Sequence, residues 1–93
     1  MEREQVFITV IGMDRKGIVA SVSSYLYEQN INIVDINQRI MTDGYFVMTM
    51  LADIAEADIS MEQLHNGLEE TGKRMNMKIQ VQHENIFKMM HRI

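Results

Sequence analysis

Residues 32–53, NIVDINQRIMTDGYFVMTMLAD, decide the fold. Two runs rich in β-branched and apolar residues, 32–41 and 45–53, flank an Asp43-Gly44 pair. An Asp-Gly step between alternating runs is a strong hairpin signal, because both residues accept the positive φ of a tight turn. A two-residue turn would set Ile40 opposite Val47, Gln38 opposite Thr49 and Ile36 opposite Leu51 on one face. The other face would then pair Met41 with Phe46, Arg39 with Met48 and Asn37 with Met50. Both faces carry large apolar groups, so the pattern leaves open which one lies under helices. A bulge in the first run would exchange them.

Outward from the hairpin, residues 5–11 read QVFITVI, apolar on both alternate sets, as a central strand covered on both faces requires. Gly12-Met13-Asp14-Arg15 breaks that run and opens a helix, with Asp14 as its expected cap. Ile18, Val19, Val22, Tyr25 and Leu26 fall on one helical face, and Glu28-Gln29-Asn30 ends it. Downstream, Ser60 and Gln63 form a capping-box pattern, and Met61, Leu64, Leu68, Thr71 and Met75 make a second helical stripe. Met77, Ile79 and Val81 alternate with polar residues as a one-faced strand. Residues 84–92 read as a short amphipathic tail helix. The order is βαββαβ, and right-handed crossovers with a central hairpin lead to one α+β arrangement. It is the ferredoxin-like split βαβ sandwich, a four-stranded antiparallel sheet in the order 2-3-1-4 with two helices on one face. Residues 1–93 are expected to form a single domain, with its core over about 4–83 and the tail helix over about 84–92.

Composition narrows the function classes. Ninety-three residues suffice for one domain, and 46% hydrophobic with 24% charged residues is ordinary for a globular chain. No apolar run approaches a membrane span, and no basic segment precedes a hydrophobic stretch, so a cytoplasmic protein is expected. Zero cysteine excludes disulfides, thiolate metal sites and cysteine nucleophiles. A net charge of −4 argues against nucleic acid as partner. Ten methionines read mainly as adaptable core filler. Charge is uneven: residues 53–72 carry acids and no base, whereas 73–93 carry bases and Glu84 alone among acids.

Chemistry concentrates in Gly12-Met13-Asp14-Arg15-Lys16-Gly17-Ile18. This segment joins a strand to a helix, whose free N–H groups and positive dipole end suit a carboxylate or phosphate. Gly17, read in the first helical turn, allows close backbone approach. Neither GxGxxG nor GKS/T is present, so a nucleotide phosphate loop finds no support. The histidines, His65, His83 and His91, are scattered. His83, Glu84 and His91 lack the spacing of a helical zinc site, so no metal and no cofactor is expected.

Residues 10–38, VIGMDRKGIVASVSSYLYEQNINIVDINQ, resemble the opening of an ACT domain, with its strand, D-R-x-G-I/V turn, helix and N-I strand. EQNINIVDI, at 28–36, is similar in character and spacing, and the ending QHENIFKMMHRI resembles the tail of a small family of single-ACT prokaryotic proteins. That group is similar in turn to the ACT halves of the glycine cleavage system transcriptional repressor. The resemblance implies regulation by an amino acid bound between paired protomers. It places Gly12, Met13, Asp14, Arg15, Gly17 and Ile18 in the ligand turn, and Asn32 and Ile33 on the partner. Backbone N–H groups would take the carboxylate, and Asn32 or Asp35 the ammonium. In departure from the commonest ACT context, no attached catalytic or DNA-binding domain is expected, and a regulated protein partner is among the expected partners. Exposed apolar groups on a lone protomer point to a homodimer or larger oligomer.

Two rival classes share the topology. An acylphosphatase-like enzyme needs an arginine in a glycine-rich first loop and a suitably placed asparagine. Arg15 is present, but the loop does not match, and the chain is read as no enzyme. An RNA-binding module needs central-strand aromatics in basic surroundings. Three tyrosines and three phenylalanines in an acidic chain fit poorly.

Overall fold

The computed structural model describes residues 3–84. Its elements are β1 (Gln5–Met13), α1 (Ile18–Glu28), β2 (Asn32–Ile40), β3 (Tyr45–Asp53), α2 (Met61–Met75) and β4 (Lys78–His83). The strands form one antiparallel sheet in the order β2-β3-β1-β4, as the hairpin and crossover rules require. The tail helix expected over 84–92 falls, from residue 85 onward, outside the described residues.

The hairpin closes differently from the two-residue expectation. Met41 N–H donates to the Tyr45 carbonyl at 2.7 Å, and Gly44 N–H donates to the Met41 carbonyl at 2.9 Å. Gly44 has φ +90°, so Thr42-Asp43-Gly44 is a three-residue loop ending in a left-handed glycine. Asp43 helps by accepting the Tyr45 N–H at 3.3 Å. The pairing therefore slips by one residue from the expected register: Ile40 faces Phe46, Arg39 faces Val47, Gln38 faces Met48, Asn37 faces Thr49 and Ile36 faces Met50. A bulge lies between Ile33 and Asp35, with Ile33 opposite Ala52 and Asp35 opposite Leu51. A one-residue slip exchanges the faces of a whole strand relative to its neighbour. Ile36 and Ile40 consequently share the helix-covered face with Phe46, Met48 and Met50, whereas Asn37 and Arg39 lie on the open face.

Under the helices, Val6, Ile8 and Val10 of β1 and Phe46, Met48, Met50 and Ala52 of β3 are buried. Ile18, Val22 and Leu26 of α1 and Leu64 and Leu68 of α2 cover them, and Ile79 closes the β4 side. Each such side chain contributes about 1.5–3 kcal/mol by leaving water. The methionines divide: Met48, Met50, Met75 and Met77 are core, while Met13 and Met41 are exposed on the open face.

α2 is bounded at both ends by its own sequence. Ser60 Oγ accepts the Gln63 N–H at 3.1 Å, and Gln63 Oε1 accepts the Ser60 N–H at 3.0 Å, completing the capping box. At the other end Asn76 adopts φ 56°, with Asn76 N–H on the Lys73 carbonyl and Met77 N–H on the Gly72 carbonyl. That pair of bonds is a Schellman closure. It folds the chain back so tightly that a Cβ on Gly72 would lie 2.6 Å from the Met77 carbonyl oxygen. The backbone there cannot yield as a flexible side chain would.

Gly72→Ala accordingly sets two effects against each other. Helix propensity alone would stabilise by about 1 kcal/mol, whereas overpacking costs about 1–3 kcal/mol. The expected outcome is a lower urea midpoint for Gly72→Ala, with exposed Lys73→Ala nearly neutral as control. A raised midpoint for Gly72→Ala would refute the close approach.

Candidate functional site

The strand-to-helix turn is shaped by three local constraints. β1 does not stop at Ile11, as its sequence suggests, but runs through Gly12 and Met13, which pair with Phe46 and Tyr45. Asp14 N–H then donates to the Gly44 carbonyl at 3.0 Å, so the hairpin loop extends the ladder and carries the chain past the apparent breaker. Gly12 is needed there for space: a Cβ would lie 2.5 Å from Met77 Sδ and 3.1 Å from the Asn76 carbonyl. Arg15 fastens the turn from the other side, donating from Nη1 to the Met75 carbonyl at 3.2 Å. A cation at this helix end also opposes the negative pole of the α2 dipole.

The cap of α1 is Gly17, with φ 86° and ψ 5°, and no side chain caps the helix. Asp14, the expected cap, is committed through its backbone to the hairpin instead. Gly17 therefore precedes the helix rather than lying in its first turn, and glycine is favoured by the left-handed backbone. An added Cβ would find no atom within 4 Å, so the space above Gly17 is open. The leading N–H groups of a helix lack intrahelical acceptors and form its positive end.

Within one chain the expected site residues divide into two places. Gly12, Met13, Asp14, Arg15 and Gly17 gather at the turn, with Met13, Asp14, Arg15 and Gly17 exposed. Ile18 follows directly, but its side chain is buried in the core, leaving only its backbone on the turn. Asn32 and Ile33 lie at the opposite end of the sheet, paired with Asp53 and Ala52, and Asp53 pairs in turn with Gln5. Gln5 and Met13 are eight residues apart along β1, about 27 Å at the usual strand rise. Asn32 is exposed, whereas Ile33 packs partly against the core. Asp35 already accepts the Ile36 N–H through Oδ1 at 2.9 Å, an arrangement local to the bulge.

The open sheet face holds a concavity that the sequence did not suggest. Asn37, Arg39, Met41, Val47 and Thr49 line a cleft of about 310 Å³. The expected hairpin register put Arg39 beside Met48 and Asn37 beside Met50, which scattered these groups. The left-handed Gly44 was the one signal for a three-residue loop, and glycine there also suits the two-residue turn. Elsewhere, His83 Nε2 lies 3.1 Å from Glu4 Oε2, joining the chain start to β4. Burial raises the Tyr25 phenol above its ordinary range, where α1 meets α2. Among the described residues no three metal-ligating side chains converge, and no helix is long and apolar enough to cross a membrane.

Comparison with known proteins agrees with this geometry. Residues 4–82 match the family model of the ACT domain. The chain is 51% identical to a UPF0237 protein of Methanococcus maripaludis over 97% of this chain and 99% of that one. It is 46% identical to a UPF0237 protein of Listeria innocua over 92% and 96% of the two chains. An ACT domain protein from Streptococcus pneumoniae superposes with a TM-score of 0.82 at 36% identity, over 94% of this chain and 97% of that one. A putative glycine cleavage system transcriptional repressor shares the fold with a TM-score of 0.76 at 19% identity, and this chain spans 47% of its length. The chain thus belongs to the ACT-domain family and, within it, to the UPF0237 group of small proteins.

Proposed function

We propose that the protein is a non-enzymatic regulatory module that binds an amino acid between two copies of itself and passes the signal to a partner protein. The observation that carries this reading is the uncapped start of α1 at Gly17, open above and fastened on both sides. The leading amides of α1 take the ligand carboxylate, where the helix dipole favours a negative charge. Asn32 offers a carbonyl acceptor to the ammonium and an amide donor to a second oxygen.

Asn32 cannot reach the turn of its own chain, so the site requires a second copy. β2 is the edge that suits one. Eight of its nine residues are exposed, and Val34, Ile36 and Ile40 present apolar side chains there. An open edge of that length is a ready template for another strand. Antiparallel pairing of two β2 edges about their middle places the Asn32 of one copy level with the turn end of the other.

Light scattering at micromolar concentration should give at least twice the chain mass of 10.9 kDa. Ile36→Lys should give a folded monomer, since its side chain is already 41% exposed in the lone chain. A wild-type monomer would overturn the paired site.

A thermal-shift screen of the twenty amino acids should identify a ligand that adds about 2.7 kcal/mol at 100 times its Kd. Gly17→Asn tolerates the left-handed backbone yet puts a side chain over the turn, and should remove that shift with the fold retained. Gly17→Asn and Asn32→Ala subunits, each silent alone, should regain about a quarter of the wild-type sites when mixed equally, one per heterodimer. No recovery on mixing would rule out a site shared between copies.

A further inference from the structure

We propose that the open sheet face carries a second ligand site, a cleft around Arg39 that takes a small monocarboxylate with a short apolar tail and no ammonium group. The site is separate from the α1 turn and does not depend on the reading given for it. Its walls follow from the hairpin register. Arg39 lies directly opposite Val47, and Asn37 opposite Thr49, so a guanidinium, an amide and a hydroxyl converge over two adjacent strands. Met41 and Val47 supply the apolar surface.

Three features specify the ligand chemistry. The side chains of Asn37, Arg39 and Thr49 make no hydrogen bond or ion pair among the described residues, so their capacity is unspent. A guanidinium grips a carboxylate through two parallel N–H donors, and the hydroxyl and amide can serve the remaining lone pairs. Volume is the second feature: about 310 Å³ is near the lower limit for ligand pockets. The third is the missing counter-group. None of the five lining residues is acidic. The carboxylates of the same hairpin accept local N–H groups, Asp35 from Ile36, Asp43 from Tyr45 and Asp53, at the far end of β3, from Ala55. An amino acid's ammonium would meet only neutral acceptors, Asn37 and Thr49, and would lie beside the like charge of Arg39, which favours the corresponding 2-oxo acid or simple acid.

The probe is 4-methyl-2-oxopentanoate, titrated into the full chain and followed by backbone amide shifts, with leucine and 4-methylpentanamide as comparators. Shifts should cluster at residues 37–41 and 47–49, with a Kd of about 1 mM or tighter. Leucine should shift these residues less, and the neutral amide should leave them unmoved. Arg39→Gln should weaken binding about tenfold or more, and Arg39→Lys should also weaken it because the fork is lost. Thr49→Val should weaken it severalfold, and Gly17→Asn should leave it unchanged. An unchanged affinity in Arg39→Gln, equal binding of the amide, or no shift at residues 37–49 with about 10 mM probe would overturn the proposal. Loss of binding in Gly17→Asn alone would assign the probe to the α1 turn and equally refute a site at Arg39.

Discussion

The pairing of Met41 with Tyr45 across Thr42-Asp43-Gly44 is the constraint on which the rest of the molecule depends. It sets the β2–β3 register, and so decides which face of β2 lies on the helix side of the sheet. Phe46, Met48 and Met50 then join Val6, Ile8 and Val10 in one buried layer. The same loop extends β1, because the Gly44 carbonyl receives the Asp14 N–H. A slip by one residue would turn β2 over relative to β3, carrying Arg39 toward the core side and Ile36 toward the open face.

Most of the architecture was legible because its signals are local or strongly periodic. The β1 run, the α2 capping box and the Asp43-Gly44 step each named its element correctly. What failed was finer geometry: the local hairpin loop shifted the register by one residue, and two positions were set by contacts distant in sequence. Gly12 looked like a strand breaker, but the hairpin loop pairs with the following residues and the Asn76–Met77 turn fills the place of its missing Cβ. Asp14 looked like a cap, but its backbone was taken by Gly44, leaving Gly17 to cap α1 in a conformation that single-residue propensity does not reveal. Gly12, Met13, Asp14, Arg15 and Gly17 gather at the α1 turn because they are neighbours in sequence. Their separation from Asn32 and Ile33 followed only from the sheet order, which places the start of β2 far from the end of β1.

The uneven charge along the chain has a physical account in α2. Glu62 lies in its first turn, and Lys73 and Arg74 in its last, each opposite in sign to the helix pole beside it. Glu69 and Lys73 add an exposed i,i+4 pair at 3.7 Å, worth a few tenths of a kcal/mol. Arg15 joins the same pole from the β1–α1 turn through its bond to the Met75 carbonyl. The division between acidic and basic stretches is thus partly a helix matched to its own dipole, which also holds the candidate turn in place.

The two sheet edges are built differently, and of the two β2 is the one that suits the proposed pairing. A chain must blunt an edge that is to stay free, with shortness, charge, proline or irregularity. Proline is absent from this sequence. β4 is short, spans six residues, begins with Lys78 and sets Gln80 and Gln82 on its open face. β2 spans nine residues, and its only charges, Asp35 and Arg39, lie on the open face while Ile36 and Ile40 line the other. Its bulge interrupts one end, between Ile33 and Asp35, leaving 35–40 in regular pairing with β3. An edge so lightly protected is a ready template for another strand, and the proposed pairing of two copies uses that feature.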